Sequence, residues 1–95
     1  DIEDALYERA RLNRKKGYYK NALDDFTKLI EIRPDNEKAY YNRGTIKAAS
    51  RDYAGAISDY DMALTLSPED KKILVAKGAA NLALKNLVKF KKNNK

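Results

Sequence analysis

Residues 37–70 read EKAYYNRGTIKAASRDYAGAISDYDMALTLSPED, and residues 3–36 read EDALYERARLNRKKGYYKNALDDFTKLIEIRPDN. Aligned at an offset of 34, the two stretches share Glu3/Glu37, Ala5/Ala39, Tyr7/Tyr41, Arg9/Arg43, Tyr19/Tyr53, Ala22/Ala56, Asp25/Asp59 and Pro34/Pro68. Like stands opposite like at Leu6/Tyr40, Ala10/Gly44, Leu12/Ile46, Leu23/Ile57, Phe26/Tyr60, Ile30/Leu64 and Ile32/Leu66. The matched places hold most of the small and large apolar residues, while polar positions diverge, as two copies of one packing unit require. Self-similarity at a fixed period marks a repeat architecture. A third copy opens at Lys71, with Leu74 and Gly78 34 residues after Tyr40 and Gly44.

Inside each copy the apolar spacing is helical. Tyr53, Ala56, Ile57, Tyr60, Ala63 and Leu64 fall at intervals of 3, 4 and 7, one continuous stripe along a helix. Breaks are expected at Lys16–Gly17, where Gly suits a helix C-terminus, and at Ser50–Asp52, with Asp52 capping the next helix. Pro34 and Pro68 close the units, since Pro cannot continue a helix. Ser67 reads as the cap of the following helix, with Pro68 in its first turn and Asp70 reaching back. Helices are predicted near 2–15, 19–31, 36–49, 53–65 and 68–84, the last extending towards residue 90. Ala10, Gly44 and Gly78 are small where the helices of a unit should approach closely, and Phe26, Tyr40 and Tyr60 are expected to fill the space between units.

Around this repeat, composition removes most chemistry. The chain has 95 residues, 43% hydrophobic and 36% charged, with no Cys, no His and no Trp. One domain is expected at this length. Without thiols or imidazoles there is no thiolate nucleophile, imidazole base, zinc-finger site or disulfide framework. No apolar run approaches the ~20 residues of a membrane span, and no leader of signal-peptide type opens the chain; a cytoplasmic location is the expectation. Because the first residue is Asp1 and not Met, the chain reads as a processed or excised piece. The net charge of +6 is unevenly spread. Residues 1–36 carry eight basic and eight acidic side chains, residues 37–70 four and six, and residues 71–95 eight Lys with no acid. No P-loop, dinucleotide fingerprint or N-glycosylation triplet occurs. Asp24/Asp25 and Asp59/Asp61 read as solvated surface on outer helices, not as catalytic or metal-binding pairs. No enzyme activity, cofactor, metal or small-molecule substrate is expected.

The repeat resembles the tetratricopeptide repeat (TPR) family, whose 34-residue helix–turn–helix unit places a bulky residue, Gly or Ala, Tyr, Ala, an aromatic, Ala and Pro in order. Tyr40, Gly44, Tyr53, Ala56, Tyr60, Ala63 and Pro68 stand at those places, as do Leu6, Ala10, Tyr19, Ala22, Phe26, Leu29 and Pro34. The resemblance implies an all-α solenoid of antiparallel helix pairs with five helices. Its parts are repeat 1 at 3–36, repeat 2 at 37–70, a half repeat or capping helix at 71–90 and a Lys-rich tail at 91–95.

It also implies a protein-interaction module, with the first helix of each unit lining a concave groove. Inward positions are then Asp4, Tyr7, Glu8, Arg11, Arg14 and Lys15, next Lys38, Tyr41, Asn42, Thr45, Ala48 and Ala49, and last Lys72, Val75, Ala76, Ala79, Leu82 and Ala83. That surface grades from charged to apolar, suiting a peptide with acidic groups and an apolar anchor. The expected partner contacts are Arg11, Lys15, Lys38, Tyr41, Asn42, Thr45 and Lys72. Taken singly, each charge also reads as an ordinary solvated side chain. TPR domains that grip the C-terminal carboxylates of heat-shock chaperones use Lys and Asn from the first helix, Asn from the third, and Lys and Arg from the fifth. Here Asn42 and Lys72 match, while Tyr7, Arg11 and Ala76 hold the other places. A complete clamp is therefore not implied, and Asn42 has an alternative role as a tie between helices.

Residues 71–90 carry two apolar stripes, Ile73, Ala76, Ala80, Ala83, Leu84 and Leu87, and Leu74, Gly78 and Leu82. A helix apolar on two sides expects two neighbours. Leu82, Val88 and Phe90 form a candidate assembly face, for further repeats or for self-association. The Lys-rich end also raises contact with nucleic acid or anionic lipid, the weaker alternative, against a solubilising frayed terminus.

Overall fold

A computed structural model describes residues 1–93; Asn94 and Lys95, the end of the expected tail, lie outside the described residues. Five helices follow one another: α1 (Ile2–Lys15), α2 (Tyr19–Ile32), α3 (Glu37–Ala49), α4 (Tyr53–Leu66) and α5 (Lys71–Asn93). Each packs chiefly on its sequence neighbours, α1 on α2, α2 on α3, α3 on α4 and α4 on α5, which is the nearest-neighbour stacking of a solenoid. The chain is an all-α solenoid of stacked helix pairs.

The helix ends repeat the same chemistry with different residues. Gly17 takes φ +85° after α1, its N–H bonding to the Arg14 carbonyl while the Tyr18 N–H bonds to that of Asn13. These are the two bonds of a Schellman motif. After α3 the same bonds run from Arg51 to Ala48 and from Asp52 to Lys47, with Arg51 at φ 68°. Asp52 caps α4 through the Gly55 N–H. At α5 the expected cap is corrected: Asp70, not Ser67, accepts from the Lys72 and Ile73 N–H groups. Pro68 therefore lies in the connection, and α5 begins at Lys71 and runs to Asn93, beyond the predicted end. Residues 91–93 are helical and not a separate tail.

Two apolar clusters form the core. Ala10, Ala22, Phe26, Leu29, Ala39 and Ile46 make the first, and Tyr40, Ala56, Tyr60, Ala63, Ile73 and Ala80 the second. The small residues set the crossing distance. A Cβ on Gly44 would stand 2.9 Å from the Tyr60 ring and 3.2 Å from the Ala56 carbonyl oxygen. At Gly78 the expectation of close approach fails, because nothing lies within 4 Å. The Ile73 stripe of α5 is covered by α4, whereas Leu74, at the place of buried Tyr40, is 48% exposed.

The acidic pairs are also corrected. Asp24 and Asp61 are exposed, but Asp25 and Asp59 are buried. Arg9 forks onto Asp25 through Nε at 2.9 Å and Nη2 at 2.8 Å, and Arg43 forks onto Asp59 at the same two distances. Each pair ties the two helices of its unit together. A bidentate fork of this kind satisfies both oxygens of a carboxylate that water does not reach.

Candidate functional site

The first helices of the three units, α1, α3 and α5, each contribute residues to one cavity. The 34-residue offset makes three sets of positions equivalent in the units: Tyr7, Tyr41 and Val75; Arg11, Thr45 and Ala79; Arg14, Ala48 and Leu82. A cavity of about 410 Å³ is lined here by Tyr7, Arg11, Arg14, Glu37, Lys38, Tyr41, Asn42, Asp70, Lys72 and Ile73.

Aromatic packing fixes the tyrosine row. Tyr7 meets buried Phe26 edge-on at 6.2 Å, and Tyr41 lies 5.9 Å from Tyr60. Lys72 Nζ sits 4.8 Å from the centre of the Tyr41 ring, a cation–π contact. Thr45 Oγ1 donates to the Tyr41 carbonyl at 2.9 Å and lies 3.1 Å from Tyr60 Oη. Thr45 has one hydroxyl proton, so Tyr60 is the donor in the second contact. Burial pushes the Tyr60 hydroxyl pKa above its ordinary value.

The expected contact residues divide. Arg11, Lys38, Tyr41, Asn42 and Lys72 line one cavity. Lys15 is exposed and lies outside its lining, and the Thr45 hydroxyl is spent within the protein. Asn42 does not tie helices: its Nδ2 donates to the Lys38 carbonyl one turn earlier in α3. Arg11 pairs with Glu8 at 2.9 Å on the exposed rim, and that hydrogen bond holds its pKa above the ordinary value. Arg14 belongs to the cavity although it stood outside the expected contact set. Its Nε is buried and makes no hydrogen bond, a state that only the folded arrangement reveals. The candidate assembly residues Leu82, Val88 and Phe90 are 60%, 58% and 63% exposed.

Elsewhere, a cleft of about 300 Å³ surrounds Arg9, Asp24, Asp25 and Lys28 on α1 and α2, where the Arg9–Asp25 charges satisfy each other. Among the described residues, no three Asp or Glu side chains cluster to hold a metal ion, and no helix is long and apolar enough to cross a membrane.

Comparison with known proteins agrees with this geometry. Family models of the tetratricopeptide repeat match residues 3–36 and 37–70, the two spans related by the 34-residue offset. The chain belongs to the tetratricopeptide repeat family, a class of protein–protein interaction scaffolds. It is similar to the first TPR of Spaghetti (RPAP3) bound to the HSP90 peptide SRMEEVD, with TM-score 0.84 and 31% identity, covering 95% of this chain and 71% of that one. The fold is shared with the TPR2B domain of yeast Sti1 in its pHsp70 complex, at TM-score 0.84 and 21% identity over 94% of this chain and 72% of that one. It is shared too with the Sgt2 TPR domain from Aspergillus fumigatus, at TM-score 0.84 and 23% identity over 90% and 57%. No curated protein matches the chain.

Proposed function

We propose that this chain is a non-enzymatic module that holds an extended partner segment with acidic groups in its concave groove. The observation that carries the reading is the cavity lined by Tyr7 and Tyr41 together with four cations, Arg11, Arg14, Lys38 and Lys72, which outnumber its two acids, Glu37 and Asp70. Such a surface offers forks and point charges to carboxylates and flat rings to the peptide between them. The likeness to a domain bound to SRMEEVD supports an acidic peptide as the first ligand to try. Asn42 and Lys72 hold two of the places of the chaperone-tail clamp; Tyr7, Arg11 and Ala76 depart from it. The reading includes a cytoplasmic setting, which fractionation of cells carrying the tagged chain tests.

Fluorescence anisotropy with labelled SRMEEVD is the direct experiment. Binding that is lost in the double variant Arg11→Glu, Lys72→Glu supports the groove. Binding unchanged in that variant contradicts it.

A second reading is favoured by one observation, the exposed Leu74, Val75, Leu82, Val88 and Phe90 on α5. On that reading the chain is an assembly element that self-associates through α5. Light scattering behind size exclusion separates the two, and a strict monomer at high micromolar concentration counts against assembly.

A further inference from the structure

We infer that Arg14 is the anion fork of the groove: it receives a carboxylate of the bound segment, and Ala48 and Leu82 receive an apolar group beside it. This rests on the groove reading above and assigns the chemistry of its centre.

Three observations carry it. Arg14 is a half-buried residue of the cavity lining, and its Nε is buried without a hydrogen-bond partner among the described residues. An N–H shielded from water and left unmatched is a cost that the free protein bears. The neighbouring cations are engaged differently: Arg11 is held by Glu8, and Lys72 rests on Tyr41. Neither Arg14 nor Lys38 takes part in an ion pair among the described residues, and of these two only Arg14 presents a planar fork. Two hydroxyls of α3 and α4 are already spent within the protein, the Thr45 proton on the Tyr41 carbonyl and the Tyr60 proton on Thr45.

The row containing Arg14 supplies the second half. Ala48, the equivalent position one unit on, is small and half-buried; Leu82, two units on, is exposed and apolar. A ligand crossing this row meets charge, space and then hydrocarbon, so an acidic residue with an apolar residue close in sequence fits it. The carboxylate can be a side chain or the chain terminus, since both present the same two oxygens to a fork.

The test uses the whole chain and labelled SRMEEVD by anisotropy, with Arg14→Gln and Arg14→Lys. We expect Arg14→Gln to weaken binding at least tenfold, as loss of a charge-assisted fork does. Arg14→Lys, keeping the charge without the fork, should lose severalfold. Thermal stability should hold or rise in Arg14→Gln, because the orphaned Nε is removed. The C-terminally amidated peptide and the peptide SRMQQVD distinguish the two sources: Arg14→Gln should make no further difference to whichever peptide lacks the carboxylate it reads. The Arg14 Nε–H resonance should also move on peptide addition, a readout independent of any variant. Arg14→Gln within twofold of wild type, with the Arg11→Glu, Lys72→Glu variant inactive, overturns the assignment and leaves the groove standing. Absence of binding by the wild-type chain overturns both.

Discussion

Repeats 1 and 2 contain the same fork, Arg9 on Asp25 and Arg43 on Asp59, at the same distances, and in different surroundings. The Arg9 side chain is 62% exposed, while Arg43 is 19% exposed beneath α2, with Nη1 3.4 Å from Thr27 Oγ1. Asp59 receives Lys47 as well, at 3.2 Å, where repeat 1 has Asn13. One unit on, Lys77 of α5 meets Asp61 of α4 at 2.6 Å, 34 residues after the Arg43 and Thr27 partners. The difference teaches that a solenoid repeat takes its energetics from its neighbours: the same covalent pattern is a tie buried on both sides in the middle and one with an exposed arginine at the end.

The largest expected effect probes that contrast directly. Asp59→Ala strands Arg43 and Lys47 and should cost about 3 kcal/mol in urea unfolding. Asp25→Ala leaves Arg9 free to turn into water, and should cost clearly less. Equal losses would break the comparison.

Glycine gives the next test. Gly44→Ala pushes a methyl group into Tyr60 and the Ala56 carbonyl and should destabilise by about 1–2 kcal/mol. Gly78→Ala, one unit on and facing open space, should stabilise by about 0.5–1 kcal/mol through helix propensity. Thermal melts with the same sign for both would contradict the account of α5.

The two Schellman turns make a smaller pair. Gly17→Ala should lose about 1 kcal/mol, because Gly17 sits at φ +85°, whereas Arg51→Gly should gain a similar or smaller amount at φ 68°.

The smallest effect is one of pH. The Tyr60 hydroxyl is held protonated above the ordinary value of about 10. The unfolded chain therefore gives up this proton first as pH rises, and stability that is full below pH ~10 falls through the raised native value. Tyr60→Phe should flatten that part of the alkaline decline, measured as urea midpoints from pH 8 to 11.

The repeat boundaries and the core were legible because stacking fixes apolar residues at one period. Ala10, Ala22, Phe26, Ala56 and Tyr60 are buried where the offset places them. The forks were half legible: Arg9/Arg43 and Asp25/Asp59 recur together, yet neighbouring acids along one helix suggested solvent. Pairing between helices depends on which side each residue faces, and the joint recurrence of both partners was the available signal. The end of α5 was legible only in part, as a helix extending towards residue 90, for a different reason. Lys85 stands at the place of Gly17 and Arg51, and Arg51 shows that a long side chain can occupy that turn, so the residue type neither demands nor forbids a break. The inward positions were expected from the family resemblance, whereas the orphaned Arg14 Nε followed only from packing.

The central claim is that the faces of α1, α3 and α5 receive a peptide. Titrating SRMEEVD into the 15N-labelled chain while following backbone amides and arginine Nε–H signals tests it most directly. Shifts concentrated at Tyr7, Arg11, Arg14, Lys38, Tyr41, Asn42 and Lys72 are the predicted result. Shifts confined to α2, α4 or the 85–93 stretch of α5, or no shifts at millimolar peptide, would contradict it.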